Sequence, residues 1–405
     1  MDPRRVMVVY GTRPEAVKVA PVVAALAQAG DLVPIPVVTG QHREMLDQVN
    51  AVFGIRPLHD LDLCRPGQTL TEVTMGALAG VGNAIELEHP DVVLVQGDTT
   101  TSYAAALAAF YLKVPVAHLE AGLRTADPYN PFPEEMNRRL TTQLATLHLA
   151  PTETARTNLL ADGVEPAVIT VTGNTVIDAL HWTIGHAAGF EDPRLRLLEG
   201  DSRPVVLVTA HRRESWGEPM RAIGRAVRRL ARRHPSVLFV FPIHRNPVVR
   251  DAVLPSLSGL DNVVVTEPQP YADFCRLMAR SSLILTDSGG VQEEGPSLGV
   301  PVLVMRDNTE RPEAVHAGTV RLVGTDEPTI IAEAERLLLD PLARAEMARA
   351  VNPYGDGHAA DRTVAALRQE LGLGDRLPEF APGNFTAPLP QPRPEASPAI
   401  AAGQY

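Results

Sequence analysis

The chain has 405 residues, 45% hydrophobic and 4% aromatic, with two cysteines, Cys64 and Cys275. That composition excludes collagenous, fibrous and disulfide-scaffold classes, and at roughly 100–200 residues per domain the length implies two domains or more. Lys+Arg 37 against Asp+Glu 48 leaves a formal net charge of −11, which speaks against nucleic acid or an anionic membrane as partner, since both need a basic field.

The apolar run 6–10 is too short for a signal peptide, and no stretch reaches the length of a membrane span. The expected compartment is therefore the reducing cytoplasm, with both cysteines as core fillers. Apolar runs at 6–10, 33–39, 91–96, 115–119, 146–150 and 168–172 read as buried strands, separated by segments of helical period. This alternation implies a parallel sheet over 1–185. Gly and Pro punctuate 186–204, which reads as a linker. A second strand series at 205–209, 237–241, 263–266, 283–286, 302–305 and 320–323 builds a second domain over 205–355. A closing helix follows over 356–372. Seven prolines among Ala, Gly and Ser mark 373–405 as a disordered tail. The expected fold is α/β: two doubly wound Rossmann-like domains facing a cleft.

Ligands of such sheets bind at the carboxyl ends of strands, so residues just after each strand are read first. After the first strand, Gly11-Thr12-Arg13-Pro14-Glu15-Ala16-Val17-Lys18 opens a helix and offers free amides and two cations to an anion. Lys18 and Lys113 are the chain's two lysines, so a compact ammonium is kept here in an arginine-biased sequence. Asp98 follows the third strand, Glu120 the fourth, and Glu134 precedes the next helix. Each alone reads as a helix-capping acid, whereas three on one sheet edge raise one another's pKa and suit acid/base work. In the second half His211 follows the first strand and His244 the second. Neither belongs to a metal-ligand spacing, so a general-acid or hydrogen-bonding role suits His211. Asp287-Ser288-Gly289-Gly290 joins a strand to a helix, as backbone phosphate sites do, with Glu294 one turn on for ribose hydroxyls. Arg306 and Arg311 bring guanidinium groups to the same edge. No Gly-x-Gly-x-x-Gly or P-loop pattern occurs, which disfavours a dinucleotide or an ATPase and favours a nucleotide diphosphate between the domains.

Taken in order, Gly11-Thr12-Arg13-Pro14-Glu15, Gln41-His42-Arg43-Glu44-Met45, Gly97-Asp98-Thr99-Thr100-Thr101, Glu120-Ala121-Gly122-Leu123-Arg124, Gly173-Asn174-Thr175, His211-Arg212-Arg213-Glu214, Asp287-Ser288-Gly289-Gly290 and Glu310-Arg311-Pro312-Glu313 resemble the non-hydrolysing UDP-N-acetylglucosamine 2-epimerases. The resemblance implies a glycosyltransferase-B arrangement, a homodimer, no cofactor or metal, and interconversion of UDP-N-acetylglucosamine and UDP-N-acetylmannosamine for cell-surface polysaccharide. It assigns acid/base work to Asp98, Glu120 and Glu134 and an active-site role to His211. It assigns nucleotide-sugar contacts to Arg13, Lys18, Gln269, Phe274, Ser288, Gly289, Gly290, Glu294 and Arg311. The Pro-rich tail has no counterpart in the family pattern.

The hydrogen on sugar carbon 2 is not adjacent to a carbonyl, so it must be acidified before a side chain removes it. Departure of UDP from carbon 1 does this, and elimination then gives 2-acetamidoglucal. Re-addition of UDP with a proton on the opposite face completes inversion. A hydrolysing epimerase and a glycosyltransferase of the same architecture share the nucleotide site and differ in what captures the sugar.

Overall fold

The structure, a computed structural model, describes residues 2–40, 43–63, 65, 67–125, 127–186 and 189–383, without the side chains of 43–45. Cys64, the Gln41-His42 pair and tail residues 384–405 lie outside the described residues. The first domain carries strands β1 (Arg4–Tyr10), β2 (Leu32–Val38), β3 (His59–Asp60), β4 (Val92–Gln96), β5 (Val116–Leu119), β6 (Leu147–Ala150) and β7 (Ile169–Val171). The second carries β8 (Val205–Thr209), β9 (Leu238–Pro242), β10 (Val263–Thr266), β11 (Leu283–Thr286), β12 (Val302–Val304) and β13 (Val320–Leu322). The sheets run β3-β2-β1-β4-β5-β6-β7 and β10-β9-β8-β11-β12-β13. Every strand pairing is parallel. These are the two Rossmann-like domains expected, because strands covered on both faces must be apolar on both faces and so appear as continuous runs. The unanticipated β3 is a two-residue edge strand, too short to show a period.

Crossover helices shield both faces of each sheet. One core cluster follows the helices Arg13–Gln28, Thr175–His186 and Ala359–Glu370 and continues into the second domain through Tyr271, Cys275 and Leu277. The helix Thr175–His186 therefore packs on both domains, touching Tyr271–Arg280 and Gly289–Ser297 of the second. The closing helix crosses back to the first domain, where both Asp178 carboxylate oxygens accept N–H groups at its start, from Ala359 at 3.2 Å and Ala360 at 2.8 Å. The linker is docked on the second domain: Phe190, Leu195 and Leu198 are buried, and the Arg194 Nη1 donates to the Val265 carbonyl at 2.9 Å.

The expectation of a disordered tail from residue 373 is corrected for 373–383. Proline content alone missed the apolar anchor in this stretch. Phe380 is buried against Ala121, Ala150, Leu159, Ile169 and Val171, and its N–H donates to the Val171 carbonyl at 2.8 Å, extending edge strand β7. Glu379 accepts from the Val171 N–H at 3.2 Å, and the Arg376 Nη1 donates to the Ile169 carbonyl at 2.9 Å. Removing a large buried aromatic costs about 3 kcal/mol, so Phe380→Ala, or truncation after Leu371, lowers the melting temperature by roughly 3–4 °C. An unchanged thermal transition in both variants would contradict the docking.

Candidate active site

In each sheet the order of strands reverses between two neighbours, β1 and β4 in the first and β8 and β11 in the second, and a crevice opens there at the carboxyl ends. Gly11 and Asp98 lie at the first crevice, His211 and Ser288 at the second. A cleft of about 1140 Å³ is lined by Lys18, Asp98, Glu120 and Arg138 on one wall and by Arg212, Glu293 and Arg311 on the other; Gly11, His211 and Ser288 are not among its lining residues.

Glu15 fixes the first crevice. Its Oε2 accepts the N–H groups of Gly11 at 2.9 Å and Thr12 at 2.7 Å, while its Oε1 accepts the hydroxyls of Thr99 at 2.6 Å and Ser102 at 2.9 Å. The buried carboxylate thus ties the loop after β1 to the loop after β4. Gly11 is required at this junction, since a Cβ there would lie 2.1 Å from the Thr39 hydroxyl oxygen.

The carboxylates that line the cleft have opposed environments. Asp98 meets the Arg138 Nη2 at 2.7 Å. Burial nonetheless pushes its pKa up to about 6, with Arg138 and Lys18 opposing and the charges of Glu120 and Glu134 reinforcing the rise. Glu120 sits at φ 64°, left-handed backbone that a residue with a Cβ adopts only when its surroundings hold it. Its carboxylate is ion-paired with the Lys18 ammonium and accepts from the Gln96 Nε2 at 2.5 Å and the Asn174 Nδ2 at 3.3 Å. Burial works against the charge on Glu120, but Lys18, then Arg311 and the Gln96 bond, hold its pKa below the ordinary range. Two neighbouring carboxylates pushed in opposite directions are the pattern of an acid paired with a base.

On the facing wall, the Arg311 Nε donates to Glu293 at 2.6 Å, and the guanidinium lies beside Gly289, where a Cβ would come within 2.6 Å of Nη1. Gly289 opens the helix Gly289–Ser297, and Ser288 makes no side-chain cap bond, so the first N–H groups of that helix remain available to an anion. Glu294 accepts from the Tyr271 hydroxyl at 3.1 Å, and burial, with the adjacent Glu293 charge, pushes its pKa up to about 7, offset in part by Tyr271, Arg13 and Lys18. At the crevice between β8 and β11, the His211 Nδ1 lies 3.0 Å from the Asp287 Oδ1.

The structure thus brings Lys18, Asp98, Glu120 and Arg311 to one cleft, while Glu134, at the start of the helix Glu134–Leu144, is not among the lining residues and acts on Asp98 through its charge. Gln269 and Phe274 lie to the side: the Gln269 Nε2 donates to the Glu267 carbonyl at 2.7 Å, and Phe274 packs half-buried against the core. Sequence reasoning missed Gln96, Arg138, Asn174, Glu293 and Asp287 as members of the site. Gln96 is legible as a polar residue closing an apolar strand, and Arg138 as a cation one helical turn after Glu134. Asn174 and Glu293 carry no such local mark. The Asn174 Nδ2 reaches Glu120 at 3.3 Å and Glu293 at 3.4 Å, joining carboxylates of the two domains, a relation only the folded chain reveals. Among the described residues no group of three or more His, Cys, Asp or Glu is placed to hold a metal ion, and no helix is long and apolar enough to cross a membrane.

The sequence matches the family described as UDP-N-acetylglucosamine 2-epimerase over residues 24–368. A UDP-N-acetylglucosamine 2-epimerase of Yersinia pestis is 52% identical over 369 residues, which are 90% of this chain and 98% of that protein. The crystal structure of a UDP-GlcNAc 2-epimerase from Neisseria meningitidis bound to UDP-GlcNAc superposes with a TM-score of 0.81 at 47% identity, over 90% of this chain and 100% of that one. A Methanocaldococcus jannaschii UDP-GlcNAc 2-epimerase in complex with UDP-GlcNAc and UDP gives a TM-score of 0.73 at 32% identity, over 90% and 99% of the two chains.

Proposed function

The chain belongs to the UDP-N-acetylglucosamine 2-epimerase family, and from that premise we propose that it interconverts UDP-N-acetylglucosamine and UDP-N-acetylmannosamine without net hydrolysis, by eliminating UDP to 2-acetamidoglucal and adding it back. The observation that carries this reading is the opposed pair Asp98 and Glu120, one carboxyl raised to about 6 and the other held below its ordinary range, on the wall facing Arg311. The nucleotide sugars bound in the Neisseria and Methanocaldococcus relatives support the same substrate here.

In this reading the second domain binds the nucleotide. Arg311, Arg13 and the amides of Gly289 and Gly290 meet the diphosphate and stabilise the charge that grows on it as the bond to carbon 1 breaks, the term that usually dominates such catalysis, whereas the Ser288 N–H expected there is taken by the Thr286 hydroxyl at 2.9 Å. Glu294 accepts the ribose hydroxyls, with Gln269 and Phe274 on the uracil side. His211 faces the diphosphate. Asp98 and Glu120 take and return the carbon 2 proton on opposite faces, Lys18 keeps Glu120 ionised, and Glu134 sustains the raised pKa of Asp98. Exposed apolar side chains, among them Met75, Phe110, Tyr111 and Met136, sit on helices that pack side by side, a face suited to the second copy of a homodimer.

Proton NMR of UDP-N-acetylglucosamine with the purified chain, without added nicotinamide or metal, tests the function. The expected result is growth of the UDP-N-acetylmannosamine signals to equilibrium with no accumulation of free UDP. Stoichiometric release of UDP and free N-acetylmannosamine would replace the reading with a hydrolysing one.

A further inference from the structure

Asp287 is wholly buried at the end of β11, and its two carboxylate oxygens have different work. Oδ2 accepts the backbone N–H groups of His211 at 2.7 Å and Arg212 at 2.8 Å, tying the loop after β8 to the loop after β11. Oδ1 lies 3.0 Å from the His211 Nδ1, within ion-pair distance but out of hydrogen-bond alignment, and no hydrogen bond reaches it from the described residues. An asparagine would serve the two amides equally well through its single oxygen. What sets aspartate apart is the second oxygen, which when buried needs a donor. The one donor in reach is a protonated Nδ1. Burial works against the Asp287 charge, yet the contact with His211 and the two amides hold its pKa below the ordinary range, so it remains an acceptor. The His244 ring stacks on His211 at 5.7 Å between centroids and 20° between planes, which restricts the ring's tilt. The His211 side chain is still 39% exposed, so its far edge is open.

We propose that Asp287 is the positioning residue for His211, seating Nδ1–H on its carboxylate so that Nε2 is the ring atom presented to the diphosphate of the nucleotide sugar, where it carries the second ring proton and donates to a phosphate oxygen. The role of Nε2 rests on the reading of His211 given under Proposed function; the pairing with Asp287 does not. A histidine whose second nitrogen is held by a carboxylate has its tautomer and orientation fixed before substrate arrives, which is where such partners act.

The test is long-range ¹H–¹⁵N correlation NMR of the full chain labelled in histidine and saturated with UDP, with the His211 signals identified by their loss in His211→Gln. The expected pattern has Nδ1 protonated, and Nε2 protonated as well while UDP is bound. In Asp287→Asn the amide oxygen keeps the two backbone bonds and the amide nitrogen faces the ring, so Nδ1 gives up its proton and the ring, protonated on Nε2 alone, loses its charge. With it kcat falls by about tenfold or more, while the melting temperature holds and KM stays within about threefold. A wild-type ring protonated on Nε2 alone overturns the proposal without need of any variant, as does an unchanged tautomer in Asp287→Asn. A tautomer that moves with kcat unchanged leaves the pairing standing and removes Nε2 from the substrate.

Discussion

Asp98→Asn is expected to lower kcat by about 10²-fold or more, the usual worth of a positioned acid or base, while UDP affinity stays near that of the unaltered chain. The substitution keeps the shape of the side chain and removes its proton, and the groups assigned to the diphosphate are on other residues. Arg138 keeps a second partner, Glu135, at 3.5 Å, so the wall is not left with an unpaired buried cation. The pH dependence has a definite sign. Inversion by elimination and return needs one proton on the carboxylate pair, ready for one face, and none at the other. With Glu120 held ionised, that proton sits on Asp98, whose pKa is about 6. For the free protein kcat/KM then falls as pH rises through about 6, and it does so equally in both directions, because the equilibrium constant fixes their ratio. Initial rates across that range, with calorimetry of UDP, check both parts. Unaltered turnover in Asp98→Asn would remove it from the reaction.

The second large effect is on stability. Lys18 and Glu120 are an ion pair with only 16% and 10% of their side chains exposed. Removing one member leaves the other charged and buried, which costs about 3–5 kcal/mol. Lys18→Met falls at the lower end of that range, since Gln96, Asn174 and the Arg311 charge still favour the Glu120 carboxylate. The double change Lys18→Met with Glu120→Gln removes both charges and recovers most of the loss, although it does not recover turnover. Urea unfolding of the two single variants and the double measures the coupling. Strict additivity of the three would show that the pair is not acting as a unit.

How far the sequence revealed this protein follows from which interactions are local. The strands were legible because two-sided burial leaves an unbroken apolar run, as in Val92–Gln96 and Leu283–Thr286, where every residue of the first and of the second is buried. The position of Asp98, Glu120 and Arg311 at a shared cleft followed from strand ends alone. What could not be read was pairing at a distance. The loop 11–18 read as free amides open to an anion, yet the Gly11 and Thr12 N–H groups are held by Glu15, the buried brace of two loops. Asp287 looked like a residue flanking a phosphate loop and is wholly buried against a histidine 76 positions away. Phe380 lay in a proline-rich stretch whose composition outweighed a single aromatic, yet one aromatic in the right place is enough to dock a chain end.

In the proposed route UDP leaves carbon 1 before carbon 2 inverts. That order is tested most directly by turning over UDP-N-acetylglucosamine that carries oxygen-18 in the bridge between sugar and β-phosphate, in deuterium oxide, and examining recovered substrate and product together. Deuterium is expected at carbon 2 in both, with movement of the label into nonbridging positions of the β-phosphate, because the freed phosphate rotates before it returns. Epimerisation at the normal rate with the bridge label fixed, and with no deuterium at carbon 2, would contradict it.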